Sequence, residues 1–297
     1  MNAGGTEGLH EKAKGLDTML PGDVLSLLSA GQQQAARSVD LALDAIAQAS
    51  CFAADAVGAG HRLVYVGAGS SGLMAMADAL ELPGTYGIGR EQIAILFAGG
   101  TSNLSDMPGG PEDDIEQAAM DAELAIGEGD CVVAISASGS TPYALAVAQV
   151  ARAKGATVVG IANNPDARLF QHSDVAILLQ TPPEFVSGST RMGAGTAQKI
   201  ALNMFSTLMA IRLGHVYDGY MVNLRADNKK LVARAARIVS GIGNVSIEEA
   251  GLLVERATGS IKIAILLAAG AKDKNSAESI LRESGQNVRR ALQSIGG

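Results

Sequence analysis

Tryptophan is absent from this chain of 297 residues, and Phe and Tyr contribute only five each. A core must then be assembled from alanine and aliphatic side chains, as in close-packed helices over aliphatic strands, and not from aromatic clusters. Cysteine is nearly as scarce: Cys51 and Cys131 are too few and too isolated for a disulfide framework or a paired-cysteine metal site, and each lies among apolar neighbours, as a core thiol does. The four histidines, His10, His61, His172 and His215, are scattered without ligand spacing, so no metal is expected. Basic residues are outnumbered. With 23 Lys and Arg against 30 Asp and Glu, the formal charge of −7 speaks against a nucleic-acid surface. Long apolar runs are missing too: none approaches the ~18 uninterrupted residues of a membrane span, and Met1–Lys14 lacks the apolar stretch of a secretion signal. A soluble, cytoplasmic protein with no nucleic-acid or membrane partner is expected.

What is present reads as α/β. Short apolar runs at Leu63–Val66, Ile93–Phe97, Val132–Ile135, Val158–Ile161 and Val175–Leu179 alternate with helical patterns near 71–82, 113–126, 142–154 and 167–172, which predicts a doubly wound parallel sheet. Residues 1–22 read as a loose arm ending at Pro21-Gly22, with Asp23 expected to cap an amphipathic helical pattern that runs to about Gly58. A long helix is expected from about Gly195 to Leu213, and another over 225–240. Ser246-Ile247-Glu248-Glu249 reads as a capping box that introduces short helices, including Lys262–Ala269 and Ser276–Ser294. The expected partition is an arm (1–22), a sheet domain with N-terminal helices (23–240) and a small helical C-terminal subdomain (241–297).

Two loops stand out. Gly67-Ala68-Gly69-Ser70-Ser71-Gly72 follows the first strand pattern, and Ser136-Ala137-Ser138-Gly139-Ser140-Thr141 follows the third. Glycine admits a ligand close to the backbone, hydroxyls and amides donate, and a helix starting after each loop adds the positive end of its dipole. A phosphorylated small molecule is the simplest occupant. The first loop also matches Gly-x-Gly-x-x-Gly, but the second strand ends in Ala98-Gly99-Gly100, without the acid that a dinucleotide ribose requires. A third cluster of donors, Ser189-Thr190-Arg191, lies at a predicted helix start just after Glu184, where it would grip an anion or sugar hydroxyls. Lys199 and Asn203 further along read as polar-face residues. For acid–base chemistry the candidates are Glu81, a carboxylate among apolar neighbours that reads either as a desolvated acid or as an ordinary carboxylate turned to solvent or paired at a helix end, and Glu112, after Pro108-Gly109-Gly110-Pro111, which taken alone reads first as the acidic N-terminal turn of the next helix.

Several blocks together resemble the N-acetylmuramic acid 6-phosphate etherase family of sugar-isomerase (SIS) fold proteins. They are Val66–Gly72, Asp78-Ala79-Leu80-Glu81-Leu82-Pro83-Gly84-Thr85-Tyr86-Gly87, Ala98-Gly99-Gly100, Glu112-Asp113, Ser136–Tyr143, Ser189-Thr190-Arg191-Met192, Gly195–Lys199 and Tyr220-Met221-Val222. The resemblance implies an SIS fold, a homodimer, no cofactor, and a phosphorylated amino sugar as substrate. It implies cleavage of the D-lactyl ether of N-acetylmuramic acid 6-phosphate, giving N-acetylglucosamine 6-phosphate and D-lactate, by elimination and water addition. The family's two carboxylates fall on Glu81, the acid for departing lactate, and Glu112, its acid/base partner. Substrate contacts fall on Gly69, Ser70, Ser71, Ser136, Ser138, Gly139, Ser140, Thr141, Glu184, Ser189, Thr190 and Arg191. Where the family usually carries basic residues, this chain has Leu73, Ser140 and Gly193. The alternatives on the same fold are a non-catalytic sugar-phosphate sensor and an isomerase or etherase with a divergent phosphosugar substrate.

Overall fold

Pro21 opens the first helix of the computed structural model, which describes residues 5–224 and 229–296. Its fixed φ suits the first helical position, where no N–H is needed. Asp23 is therefore not the cap expected of it but an acidic residue inside the first turn, with Leu20 at the cap position. Helix α1 (Pro21–Arg37) passes through a tight turn at Ser38–Ala42 into α2 (Leu43–Gly58). By length and hydropathy alone Pro21–Gly58 would pass for a membrane span, but it is broken by that turn, and Ala49 and Ala53 lie fully buried in the core.

Contacts divide the chain into two units, one of residues up to Ala79 with Arg90–Ser206, the other of Leu80–Gly89 with Thr207–Gly297. In the first, β1 (Leu63–Gly67), β2 (Ile93–Phe97), β3 (Cys131–Ile135), β4 (Thr157–Ala162) and β5 (Val175–Leu178) form an all-parallel sheet in the order β2-β1-β3-β4-β5. The strand runs contain no alternating polar residue because β1 and β3 are buried on both faces. Helices α3 (Gly69–Tyr86), α4 (Ile115–Ala125), α5 (Pro142–Ala153) and α6 (Gly193–Arg212) follow the strands. Alanine does the close packing: Ala144, Ala148 and Ala151 of α5 and Ala118 and Ala122 of α4 have no exposed surface. The 113–126 pattern resolves into a short turn at Gly110–Asp113 and then α4, whose cap Asp114 accepts from the Gln117 N–H. Near 167–172 the chain forms only a 3-10 turn, Arg168–His172. Because β1 leads outward to β2 while β3 leads the other way to β4 and β5, the winding reverses between β1 and β3, the place where open α/β sheets bind ligands.

The second unit has a small hairpin, β6 (Val216–Tyr217) with β7 (Tyr220–Met221), and helices α7 (Lys229–Gly243), α8 (Ile247–Arg256), α9 (Ile261–Ala268), α10 (Lys274–Glu283) and α11 (Val288–Gly296). Of the helix expected over 225–240, residues 225–228 lie outside the described residues. Ser246 caps α8 as expected, its Oγ accepting from the Glu249 N–H at 3.1 Å. The single helix expected over Ser276–Ser294 is two, broken where Gly285 and Gln286 turn left-handed. Val239, Ala250, Ala257, Ala264, Leu266 and Ala291 form its buried core.

This unit holds two basic groups that, among the described residues, have no acid bonded to them. Lys262 is almost wholly buried and donates to the Gln286 carbonyl at 2.9 Å, and burial pulls its ammonium down to about 8. His215 bonds the Tyr86 carbonyl through one ring nitrogen, while its buried Nδ1 has no partner among the described residues; burial and then Lys262 pull it down to about 4. Its folded pKa lies below the ordinary 6.5. Between those values the unfolded chain binds the extra proton, so stability is full above pH 6.5 and falls as pH drops toward 4. A loss on the order of 3 kcal/mol is expected over that window. Urea unfolding at pH 7.5 and 4.5 checks it, because His215→Asn should flatten the difference.

Candidate functional site

The first glycine loop is the turn from β1 into α3. Gly69, the first residue of α3, has φ +51°, and a Cβ there would stand 2.9 Å from Glu112 Oε1. The left-handed backbone favours glycine here, and its missing Cβ lets the carboxylate come close. Ser70 and Ser71 occupy the first helical turn, Ser71 buried and Ser70 half-buried. Glu112, half-buried on the Gly110–Asp113 turn, therefore faces the start of α3. Its carboxyl is raised above the ordinary range, first by desolvation and second by Asp113. The acidic turn seen in the sequence brings one carboxylate to a glycine loop and partly dries it.

The second loop connects β3 to α5 and is a knot of hydroxyls. Ser136 Oγ bonds Thr141 Oγ1 at 2.8 Å and accepts from the Gly139 N–H at 3.0 Å. Ser138 Oγ accepts from the Ser140 N–H at 3.2 Å and from Ser140 Oγ at 3.0 Å. Gly139 has φ +68°, and a Cβ would come 2.2 Å from that of Ala167, so this turn admits only glycine. Both loops lie at the C-terminal ends of the adjacent strands β1 and β3, where Gly67 pairs with Ile135. The structure thus brings the two loops and Glu112 to the switch point of one sheet.

The third cluster lies at the start of α6. Glu184 is buried, and its two oxygens accept from the Gly193 and Ala194 N–H groups, each at 2.9 Å. The N-terminus of α6 is therefore capped by the protein's own carboxylate, which already occupies two of that helix's free N–H groups. Ser189 and Thr190 are half-buried on the preceding turn, Arg191 is exposed, and the Thr190 carbonyl accepts from the Gly195 N–H at 2.8 Å. Gly193 packs against Glu184 and Ala35, with either 3.1 Å from where a Cβ would be. Of the other positions without the family's basic residue, Leu73 is half-buried on α3, and Ser140 is part of the hydroxyl knot.

Glu81 lies on α3 within the second unit and is exposed, not desolvated as expected of it. Two residues later Pro83 lies inside the helix, where it has no N–H to donate. Asp78, one turn before Glu81, enters the sequence reading only as part of a resembling block, with no role of its own. It is buried, and accepts from Tyr65 at 2.7 Å, Ser206 at 3.0 Å and Asn203 at 3.3 Å. Desolvation raises its carboxyl against the pull of those bonds and of Lys199. In this unit Asp78 ties α3 to β1 and α6, and Lys199, bonded to Asn203 Oδ1, completes the chain. No spacing marks such a residue, because its partners are 13 to 128 positions away. Cys131 is the core thiol expected, pushed up to about 12 by burial.

Comparison with known proteins accounts for this combination. Residues 111–211 match the SIS domain, and residues 45–152 match the glucokinase regulatory protein N-terminal SIS domain. A putative phosphosugar isomerase involved in capsule formation from Bacteroides fragilis shares the fold, with a TM-score of 0.51 and 22% identity over 67% of this chain and 94% of that one. The N-acetylmuramic acid 6-phosphate etherase of Geobacillus thermodenitrificans is 38% identical over 97% of this chain and 98% of its own. That of Deinococcus radiodurans is 39% identical over 97% and 94%. Identity at this level from end to end extends beyond the sheet that unrelated SIS proteins have in common, so the chain belongs to the N-acetylmuramic acid 6-phosphate etherase family.

Proposed function

We propose that this protein is a carbon–oxygen lyase that cleaves the D-lactyl ether of N-acetylmuramic acid 6-phosphate, giving N-acetylglucosamine 6-phosphate and D-lactate in cytoplasmic recycling of cell-wall amino sugars. The observation that carries the proposal is the carboxylate of Glu112 over Gly69, at the switch point that also holds the hydroxyl-rich loop, in a chain with end-to-end etherase relatives. In this reading Gly69, Ser70, Ser71, Ser136, Ser138, Gly139, Ser140 and Thr141 hold the 6-phosphate through amides and hydroxyls, and Ser189, Thr190 and Arg191 meet the rest of the sugar. With the ring open, a carboxylate takes the C2 proton made acidic by the C1 aldehyde. The C3–O bond breaks as the other carboxyl protonates the departing lactate oxygen. Water then adds to C3 of the unsaturated aldehyde, with its proton taken by a carboxylate and another returned to C2. Glu81 is the acid for lactate and the base for water, Glu112 the partner at C2 or the ring oxygen, and the reaction uses no cofactor.

The working form in this proposal is a homodimer. Leu20, Leu25 and Leu41 leave large apolar side chains exposed on and beside the N-terminal helices, and a second copy would cover them. Incubation of the full chain with N-acetylmuramic acid 6-phosphate in D2O tests the chemistry. Release of D-lactate with deuterium at C2 of the sugar is expected. A product without deuterium at C2 would exclude the elimination route, and tight sugar-phosphate binding with no lactate would favour a sensor.

A further inference from the structure

Residues 5–10 form a strap across the two parts of the candidate site that lie in the first unit. Thr6 is buried although it stands in what the sequence presents as a loose arm. Its N–H donates to Asn164 Oδ1 at 3.0 Å, while Asn164 Nδ2 donates to Thr6 Oγ1 at 3.1 Å and to the Ser138 carbonyl at 3.3 Å. One amide thus holds the strap with its oxygen and the hydroxyl-rich loop with its nitrogen. Gly5 allows the approach: its φ is +72°, and a Cβ would fall 2.0 Å from Asn164 Oδ1. Further along, the Glu7 carbonyl accepts from Ser187 Oγ at 3.2 Å, and the His10 ring stacks on Phe185 at 3.9 Å between centroids. Phe185 adjoins Glu184, the cap of α6. Over six residues the strap therefore joins the loop after β3 to the segment that carries Ser189-Thr190-Arg191.

We infer that Asn164 is a positioning residue and that the strap of residues 5–10 is a wall of the phosphosugar site, setting affinity for the phosphorylated sugar and not the rate of the chemical step. This rests on the proposed reading of the hydroxyl-rich loop as the phosphate cradle. Ser138 can present its hydroxyl and neighbouring amides to a phosphate in one fixed geometry only if its own carbonyl is held back, and the Asn164 amide is the group that holds it. The contact lies 26 residues away in sequence and is local in space, through the β3–β4 pairing.

Asn164→Asp is the sharpest probe. One oxygen still accepts from the Thr6 N–H and the other can accept from the Thr6 hydroxyl, but nothing then donates to the Ser138 carbonyl, and a negative charge is added beside the loop. Calorimetry with N-acetylglucosamine 6-phosphate should show affinity weakened tenfold or more, both for this variant and for a chain lacking residues 1–10. Thr6→Ser, which keeps both bonds, should bind as the wild type does. In the lactate assay KM should rise by a similar factor with kcat within about threefold, a split that a general loss of folding would not produce, and melting temperatures should confirm intact folding. Unchanged affinity in both the Asn164→Asp and the truncated chain, or a loss of kcat with KM unmoved, would overturn the inference. Calorimetry keeps this outcome apart from failure of the proposed reaction, which would appear as absence of lactate from the wild-type protein.

Discussion

Replacing Glu112 by Gln should lower turnover of N-acetylmuramic acid 6-phosphate by 10²–10⁴-fold, the usual effect of losing an acid/base group, while the affinity for N-acetylglucosamine 6-phosphate stays near that of the wild type. The amide keeps the shape that packs over Gly69 and cannot exchange a proton. Burial raises the Glu112 carboxyl above the ordinary carboxylate range, with Asp113 adding to the shift, which brings it closer to the pH at which a group both takes and returns a proton efficiently. If Glu112 acts as base in the free enzyme, the acidic limb of kcat/KM should sit above the usual carboxylate range. Glu112→Gln should abolish that limb, and Asp113→Asn should move it toward lower pH, since the neighbouring negative charge is part of the cause. Glu81→Gln should cost a similar factor in turnover. The two variants are measured in parallel by single-turnover lactate release; full activity in either would remove that residue from the chemistry.

The fold was readable because its determinants are local or periodic. Five apolar runs announced the strands, of which β1 and β3 are buried on both faces, and Gly69 and Gly139 stood where a left-handed backbone had to accommodate a close neighbour. Ser246 and its helix followed from four consecutive residues. What escaped has its partners far away in sequence. Asp78 is meaningful only beside Tyr65 and Ser206, and Asn164 only once Thr6 is folded back across 158 positions. The Ser276–Ser294 pattern concealed a break because Gln286 adopts φ +62° without a glycine to signal it. Asp23 looked like a cap because it follows Pro21-Gly22, whereas the proline itself already satisfied the first turn. Resemblance supplied the pairing of Glu81 with Glu112; composition and spacing alone marked Glu81 as an odd carboxylate among apolar neighbours and left Glu112 as the acidic first turn of the next helix.

Glu184 distinguishes a residue that holds the fold from one that holds the substrate. Its carboxylate is buried and receives two backbone N–H bonds from the first turn of α6, at 2.9 Å each, so removing it strands both donors away from water and takes an anion from the positive end of a helix of 20 residues. Glu184→Ala should therefore destabilise the protein by about 3 kcal/mol, combining loss of the cap with the orphaned N–H groups and a small cavity. Glu184→Gln should cost about half as much, because the amide oxygen still accepts one bond while its NH2 is turned against the other donor. Thermal melting and urea unfolding should show this order, with KM of the Gln variant close to the wild-type value. A substrate-gripping role predicts the opposite: a raised KM with the melting temperature unmoved. In that case the carboxylate would have to leave the α6 amides to reach the sugar, breaking two charge-assisted bonds in a buried setting for each molecule bound. The cost of that exchange favours the cap, so that in the proposed reading Ser189, Thr190 and Arg191 are the residues of this segment that meet the substrate.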